Sequence, residues 1–275
     1  MPSQPPARVL AAFGLAGCVP VPLGGGQGTS WRAGDLVLKP AAGDPDELAW
    51  QIRTFSQLSR DGFRLARPRL AAAGSPCIDG WSATEFVSGS HRPRRWPEII
   101  AAGDLFHRAL RNLPRPAFLD HRTDPWATAD RVAWNEIPAA EFPGVPHLPQ
   151  LTSALRPVAV PSQLIHGDLT GNVLFDDQLP PAIIDFSPYW RPVPYAAAVV
   201  VADALVWEGA DRQILRAVRH FGDFGQFLVR GLIFRIVTDW ILADDEPRDA
   251  HSAGHDPWTE TVDLACELAA AARAS

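Results

Sequence analysis

The stretch from Gln163 to Phe186 constrains the fold more than any other part of the chain. Two short apolar runs, Val173–Phe175 and Ala182–Ile184, flank a turn of sequence Asp-Asp-Gln-Leu-Pro-Pro. Apolar runs of this length around a turn rich in Asp and Pro predict an antiparallel β-hairpin. The polar residues that border the hairpin should therefore collect at its open end.

Pairing Phe175 with Ala182 would place Asn172 opposite Asp185 at that open end. An amide oxygen facing a carboxylate suits Mg²⁺, a hard cation that takes one or two carboxylates together with phosphate oxygens. Asp168 precedes Asn172 in a loop and is close enough in sequence to act as a base beside such a metal. The segment therefore predicts a site for a metal-bound phosphate.

Lys39 is the second unusual feature, because it is the single lysine among 25 basic residues. A GC-rich coding bias explains the excess of arginine but not why one lysine remains. Lysine is a compact point charge on a flexible stem, whereas arginine is a planar fork, so a position that keeps lysine favours a chemical role. Lys39 ends a predicted strand, 35–39, that follows a glycine-rich hairpin tip at 23–30.

The remaining pattern divides the chain into a β-rich first part and a helical second part. Asp44-Pro45-Asp46-Glu47 predicts a helix start, with an N-cap, a proline at the first helical position and an acid at the third. A strand-like run at 82–87 ends at Ser88-Gly89-Ser90, which we take as the boundary between residues 1–87 and 88–275. Helical periodicity then predicts helices over 97–113, 126–137, 196–207, 212–221, 224–242 and 259–272.

Composition excludes several classes of protein. A net charge of −6 argues against a nucleic-acid binder, and no apolar run reaches the roughly 18 residues of a membrane span. The N-terminus lacks the charged region and apolar core of a signal peptide. Three widely separated cysteines predict buried thiols in a reducing cytoplasm. We therefore expect a cytoplasmic protein that binds neither nucleic acid nor membrane, while its oligomeric state stays open.

The motifs His166-Gly-Asp168, Asn172 and Ile184-Asp185-Phe186 resemble the catalytic loop and metal-binding segment of the aminoglycoside phosphotransferase family, within the protein-kinase-like superfamily. The glycine hairpin, Lys39 and the following helix occur in the order of that superfamily, and the composition is typical of an actinobacterial member. The resemblance implies an α+β, two-lobed kinase-like fold with a small β-rich N-lobe (1–87) and a larger, mainly helical C-lobe (88–275).

The resemblance also implies a role for each motif. Asp168 would accept the proton of the attacking hydroxyl or orient it, and Asn172 and Asp185 would hold Mg²⁺ on the phosphates of ATP. The remaining nucleotide contacts would come from Lys39 with its partner Glu47, from a glycine loop over the phosphates, and from a hinge at the adenine edge. The loop comprises Gly24, Gly25, Gly26, Gln27, Gly28 and Thr29, and the hinge comprises Glu85, Phe86 and Val87.

Three departures from the kinase pattern bear on these roles. Asn172 follows Asp168 by four residues, where kinases have five. The triplet Asp185-Phe186-Ser187 lacks the kinase glycine, and Glu47 follows Lys39 closely and also fits a helix-capping role. Asp203 and Glu208, on a later helix, could face a cationic acceptor, although solvated helix faces are commoner.

The function expected from these features is transfer of the γ-phosphoryl group of Mg-ATP to a hydroxyl of a small molecule. A protein kinase is less favoured, because no Ala-Pro-Glu segment follows Asp185. The main alternative is a nucleotide-binding pseudokinase that acts as a regulatory or scaffold module, which the shortened Asp168–Asn172 loop supports. Nucleotidyl transfer from ATP bound in reverse is a third possibility.

Overall fold

The computed structural model describes residues 4–24, 28–41, 45–244 and 256–271. Its strands are short, and most belong to the first third of the chain. In chain order they are β1 (Val21–Pro22), β2 (Trp31–Ala33), β3 (Leu36–Pro40), β4 (Arg64–Leu65), β5 (Pro68–Arg69), β6 (Trp81–Glu85), β7 (Gln163–His166), β8 (Val173–Leu174), β9 (Ala182–Ile183) and β10 (Pro188–Arg191).

The helices are concentrated in the remaining two thirds. They are α1 (Ala7–Ala12), α2 (Pro45–Gln57), α3 (Trp96–Leu110), α4 (Pro125–Ala133), α5 (Leu148–Ala154), α6 (Val193–Val206), α7 (Phe224–Asp244) and α8 (Thr259–Ala271). Short 3₁₀ turns cover Ala117–Asp120, Ala139–Glu141 and Arg212–Val218. Within the described residues, no helix is both long enough and apolar enough to cross a membrane.

Contacts divide the chain into two compact units. The first unit combines Met1–His91 with Gly171–Asp185, and the second combines Arg92–Thr170 with Phe186–Ser275. The predicted boundary after Val87 stays a prediction, because a grouping by contacts describes packing and not independent folding.

The first unit contains an antiparallel sheet with the strand order β1-β2-β3-β6-β5. In β3, Leu36 and Leu38 are buried while Val37 and Lys39 lie on the opposite face, as the two-residue period of a strand requires. The buried leucines join side chains of α1 and β6 in one apolar core. A second small sheet, β4-β9-β8, contains the predicted hairpin, and β4 pairs with β9 in parallel.

The second unit is built around two apolar helices. Residues of α6 are buried on every side from Pro194 to Ala204, which is the pattern of a helix inside a core. Helix α7 packs against α4, α5, α6 and α8, and the antiparallel pair β7–β10 lies in the same unit. The α4 N-terminus shows why such a helix begins where it does: Pro125 follows Asp124, whose carboxylate accepts the N–H of Ala127 at 2.9 Å.

The α+β prediction is confirmed, and the helix positions agree within a few residues, with two exceptions. The 212–221 segment is a 3₁₀ turn over Arg212–Val218 and not an α-helix. The stretch 114–161 contains α5 in addition to the expected α4. The three cysteines are free thiols but are partly exposed, so the prediction that they are buried is wrong.

Gly225, in the first turn of α7, lets α8 approach unusually closely. A Cβ atom at this position would lie 2.4 Å from the backbone nitrogen of Ala269, and backbone cannot rotate away as a side chain can. We expect Gly225→Ala to destabilise the protein by about 1–3 kcal/mol, the usual cost of overpacking. Chemical denaturation measures this difference.

Gly222 provides the matched control, since a Cβ there would meet no atom within 4 Å. Gly222→Ala should change the free energy of unfolding by less than about 0.5 kcal/mol, as surface substitutions usually do. Equal effects of the two substitutions would contradict the close packing of α7 on α8.

Candidate functional site

Lys39 extends from the face of β3 that is turned away from the apolar core. Its ammonium contacts the Asp185 carboxylate, although the two residues are 146 positions apart in the chain. Both side chains keep some exposure, 26% for Lys39 and 43% for Asp185. The first unit therefore brings together two of the residues that the sequence assigned to nucleotide and metal binding.

The hairpin that carries the metal candidates differs in register from the prediction. Val173 pairs with Ile183, so Asn172 lies opposite Ile184 and not opposite Asp185. The Asn172 carbonyl accepts the Ile184 N–H at 3.0 Å. The predicted pairing of Phe175 with Ala182 is thus wrong by one residue.

The reason for the shift is a contact with a distant segment. Both backbone groups of Phe175 bond to Ser90, each at 2.9 Å, so they are not available to Ala182. Gly89 makes this approach possible, because a Cβ there would lie 3.0 Å from the Phe175 carbonyl oxygen. Local turn rules contain no information on such a partner.

Asp185 has a left-handed backbone conformation, with φ of 47°. Few residues other than glycine adopt it, although aspartate does so more readily than most. Backbone conformations of this kind occur often at functional sites, where the surrounding structure maintains them. Here the turn comes two residues after β9 and directs the carboxylate to Lys39.

The oxygen ligands available in this unit suit a magnesium ion whose other ligands are phosphate oxygens. Asp185 supplies a partly exposed carboxylate, and Asn172 is half-buried one residue before β8. No group of three His, Cys, Asp or Glu side chains suitable for a metal occurs among the described residues. Mg²⁺ does not need such a cage, since it is commonly held by one or two carboxylates, waters and substrate phosphates.

The glycine-rich stretch closes a hairpin, as expected. β1 pairs with β2, and the Leu23 N–H donates to the Ser30 carbonyl at 2.9 Å below the tip. Gly24, Gly28 and Thr29 are described, and Gly28 needs its glycine because φ is 67°. Gly25, Gly26 and Gln27 lie outside the described residues, so their predicted role is not tested.

Glu47 lies in the first turn of α2, where it accepts a hydrogen bond from the Gln51 side chain at 3.0 Å. The expected N-cap, Asp44, lies outside the described residues. Pairing of Glu47 with Lys39 stays a prediction. The contact that the structure does give the Lys39 ammonium is with Asp185.

Strand β6 ends at Glu85, and Phe86 and Val87 follow it. Burial raises the pKa of the Glu85 carboxyl, but hydrogen bonds from Arg67 and Arg69 outweigh burial and bring that pKa below its usual value. The Glu85 and Phe86 N–H groups donate to the carbonyls of Arg67 and Asp35. Among the described residues, no protein group accepts a hydrogen bond from the Val87 N–H.

Asp168 lies in the second unit, in the loop after β7. Its Oδ1 accepts a hydrogen bond from Arg235 Nη2 at 2.8 Å, and 40% of its side chain is exposed. Arg235 also binds Asp203, so Asp203 is buried in an ion pair and does not face an acceptor. Glu208 accepts a hydrogen bond from the Trp96 indole.

His166 holds the Asp168 loop from inside the core. Its Nδ1 accepts the N–H groups of Asp168 at 3.2 Å and Ser187 at 3.4 Å. Because Nδ1 accepts, the ring proton of the neutral imidazole belongs on Nε2. His166 thereby connects the loop to the chain that follows Asp185.

His107 supports β7 from α3, a contact that the sequence did not predict. Its Nε2 accepts the His166 backbone N–H at 3.0 Å inside the core. The two residues are 59 positions apart in the chain, beyond the reach of helical periodicity. Burial, with a smaller contribution from His166, lowers the pKa of His107 to about 3.

Comparison with known proteins agrees with this arrangement. The model of the phosphotransferase enzyme family matches residues 8–189. Among solved structures, an aminoglycoside phosphotransferase from Alicyclobacillus acidocaldarius is similar at a TM-score of 0.63 and 16% identity, covering 100% of this chain and 97% of its own. No curated protein matches the sequence significantly.

Two further structures extend the similarity. Spectinomycin phosphotransferase APH(9)-Ia, solved with ADP and spectinomycin, gives a TM-score of 0.58 at 15% identity and 97% coverage of both chains. A choline/ethanolamine kinase family protein from Mesorhizobium loti gives 0.54 at 18% identity, covering 95% of this chain and 90% of its own. At these identities, the similarity shows the fold alone.

The neutral His107 predicts a specific acid sensitivity. Its pKa is about 3 in the folded chain and 6.5 in the unfolded chain, so acidification between these values protonates the unfolded state first and favours unfolding. From pH 7.5 to pH 5, this one group should cost about 2 kcal/mol of unfolding free energy. Urea denaturation of wild type and His107→Gln at both pH values measures it.

Glutamine can accept the His166 N–H but does not titrate, so the variant should lose less stability on acidification than the wild type. His121→Gln, at an exposed position, is the control and should behave as the wild type does. An identical pH dependence of His107→Gln and wild type would refute the assignment of a buried neutral imidazole.

Proposed function

The chain belongs to the phosphotransferase enzyme family, and from this premise we propose that it transfers the γ-phosphoryl group of Mg-ATP to a hydroxyl of a small molecule. The observation that carries the proposal is the contact between the single lysine and Asp185. A lysine that pairs with a partly exposed carboxylate can neutralise phosphate oxygens instead when a metal takes the carboxylate.

The nucleotide phosphates would contact groups of the first unit. Asn172 and Asp185 would hold Mg²⁺, which supplies neutralisation of the phosphate charge when bound. Lys39 would then exchange the carboxylate for a phosphate oxygen. The backbone at Gly24–Thr29 would cover the phosphates, since glycines permit a close approach of the main chain.

The adenine edge would bind at 85–87, where the hydrogen-bond donor would be a backbone N–H group. The N–H groups of Glu85 and Phe86 already have carbonyl partners, so Val87 offers the N–H that is still available. The Glu85 side chain is fixed by Arg67 and Arg69 and serves to rigidify the segment. Adenine and guanine differ in the groups on this edge, and competition between ATP and GTP would show which base is preferred.

Asp168 would act on the acceptor hydroxyl. Phosphoryl transfer requires little covalent chemistry from the protein, so positioning and electrostatics contribute most of the rate. A carboxylate that is partly exposed and tied to a buried cation can receive the hydrogen bond of an incoming hydroxyl. The acceptor is a small molecule in this proposal.

The test of this function is turnover with Asp168→Asn as the matched variant. Purified protein is incubated with Mg-ATP and panels of sugars, aminoglycosides, amino alcohols, nucleosides and metabolite extract, and the products are identified by mass spectrometry. Addition of 80 Da identifies phosphoryl transfer and separates it from nucleotidyl transfer. Asp168→Asn should lower kcat by roughly 10²–10⁴-fold, as loss of a general base does, with ATP binding nearly unchanged.

Nucleotide binding without turnover on any acceptor would favour the pseudokinase alternative. Turnover that survives Asp168→Asn would exclude Asp168 as the residue that acts on the hydroxyl. If neither ATP nor Mg-ATP raises the Tm, the kinase and pseudokinase interpretations both fail.

Lys39→Arg tests the role of the single lysine. The substitution keeps the charge but replaces a compact ammonium by a planar fork, so we expect kcat to fall roughly 10²–10³-fold, as after loss of one transition-state donor. Arg53→Lys, on the exposed face of α2, is the reciprocal control and should retain wild-type kcat. Normal turnover by Lys39→Arg would show that the lone lysine has no chemical role.

A further inference from the structure

Arg235, in the middle of α7, connects two carboxylates of the second unit. Its Nε and Nη2 donate to the two oxygens of Asp203 at 2.7 and 2.6 Å. Nη2 also donates to Asp168 Oδ1 at 2.8 Å. One guanidinium thus binds a residue of α6 and the residue that acts on the acceptor in the proposed function.

The two carboxylates differ sharply in their surroundings. The Asp203 side chain is 3% exposed and that of Arg235 is 11% exposed, whereas Asp168 is 40% exposed. Burial lowers the pKa of Arg235, but the neighbouring carboxylates outweigh burial and hold that pKa above its ordinary value. Arg235 is therefore a permanent cation whose position is fixed by its bidentate contact with Asp203.

Asp168 follows Gly167 in a loop, and its backbone N–H donates to His166 Nδ1. A backbone contact of this kind does not fix the side-chain torsions. The contact with Arg235 Nη2 holds Oδ1 directly, and it ties the Asp168 carboxylate to the packed helices α6 and α7.

We propose that Arg235, anchored by Asp203, is a positioning residue that fixes the Asp168 carboxylate for the acceptor hydroxyl. This inference rests on the proposed phosphotransfer function. The fixed cation also offsets part of the carboxylate charge. Arg235 touches no reacting atom and acts only through Asp168.

The arrangement requires arginine and not merely a positive charge. The contacts with Asp203 use two nitrogens of the planar fork, and the shared Nη2 directs its second hydrogen towards Asp168. A lysine ammonium is a single point and cannot reproduce both directions. Arg235→Lys should therefore loosen Asp168 while it keeps the charge inside α7.

Arg230 offers a control on the same helix. It is also buried, and its guanidinium donates to the carbonyls of Gln226 at 2.9 Å and Arg156 at 2.6 Å. Arg230→Lys removes a buried fork from α7 in the same way but leaves Asp168 untouched. Comparison of the two variants separates loss of helix packing from loss of positioning.

The experiment measures Tm, KM for ATP and kcat for the wild type, Arg235→Lys and Arg230→Lys. The assay uses an acceptor that the panel identifies, or the hydrolysis of ATP, in which water is the acceptor. Arg235→Lys should lower kcat about 10–100-fold with KM for ATP within about twofold of wild type. Arg230→Lys should lower Tm by about as much as Arg235→Lys does, while its kcat stays within about twofold of wild type.

The Asp168→Asn background provides the decisive readout. If Arg235 acts only through Asp168, Arg235→Lys should cause no further loss of kcat there, because two residues that act as a unit are not additive. If the double variant lost kcat by the product of the two single losses, Arg235 would be purely structural and the proposal would be overturned. Wild-type kcat in Arg235→Lys would overturn it as well.

A paired variant guards against a protein that fails to fold. Arg235→Gln with Asp203→Asn replaces the buried ion pair by a neutral hydrogen-bonded pair, which avoids an isolated buried charge. It should show the same loss of kcat with KM for ATP preserved. A wild-type protein without turnover, or an active Asp168→Asn, contradicts instead the proposed function on which the inference rests.

Discussion

In the second unit, helices α6 and α7 are joined by an ion pair that is almost buried, between Asp203 and the Arg235 guanidinium. A buried charge is tolerated only when it is paired and hydrogen-bonded, and removing one partner of such a pair typically costs about 3–5 kcal/mol. Asp203 on α6 supplies that partner for Arg235 on α7, so the two helices must pack in the one register that joins them. The same ion pair provides a fixed donor to Asp168, which links the packing of an apolar helix pair to the residue proposed to act on the acceptor.

In the first unit, the corresponding link is made by backbone pairing. β4 lies parallel to β9, and Ser90 pairs with Phe175, so the hairpin of residues 171–185 is attached to the N-terminal part of the chain at two places. The Arg64 side chain strengthens this attachment by donating to the Pro180 carbonyl at 2.8 Å and to Ser88 at 3.1 Å. These contacts hold Asp185 where the Lys39 side chain reaches it.

How much of this arrangement is predictable depends on the range of the interaction. The glycine hairpin, the strand of Lys39 and the His166-Gly-Asp168 loop have local signals, and the structure has the hairpin, strand and loop at those positions. The prediction of the hairpin register was wrong because Phe175 pairs with Ser90, about 85 residues earlier in the chain. Arg235 had a weak signal, a charged residue between Phe234 and Ile236 in a largely apolar helix, but its two partners could not be read from periodicity.

The register correction also bears on the shortened loop between Asp168 and Asn172. The hairpin ladder ends at the pair Val173–Ile183, and both metal candidates lie beyond it. Gly171, with φ of 76°, turns the chain just before Asn172, and Asp185 turns it again through its own left-handed conformation. The directions of the two side chains are therefore set by these turns and not by which residues face each other in the ladder. The short step from Asp168 to Asn172 passes through the turn at Gly171, so this turn decides how the chain enters β8.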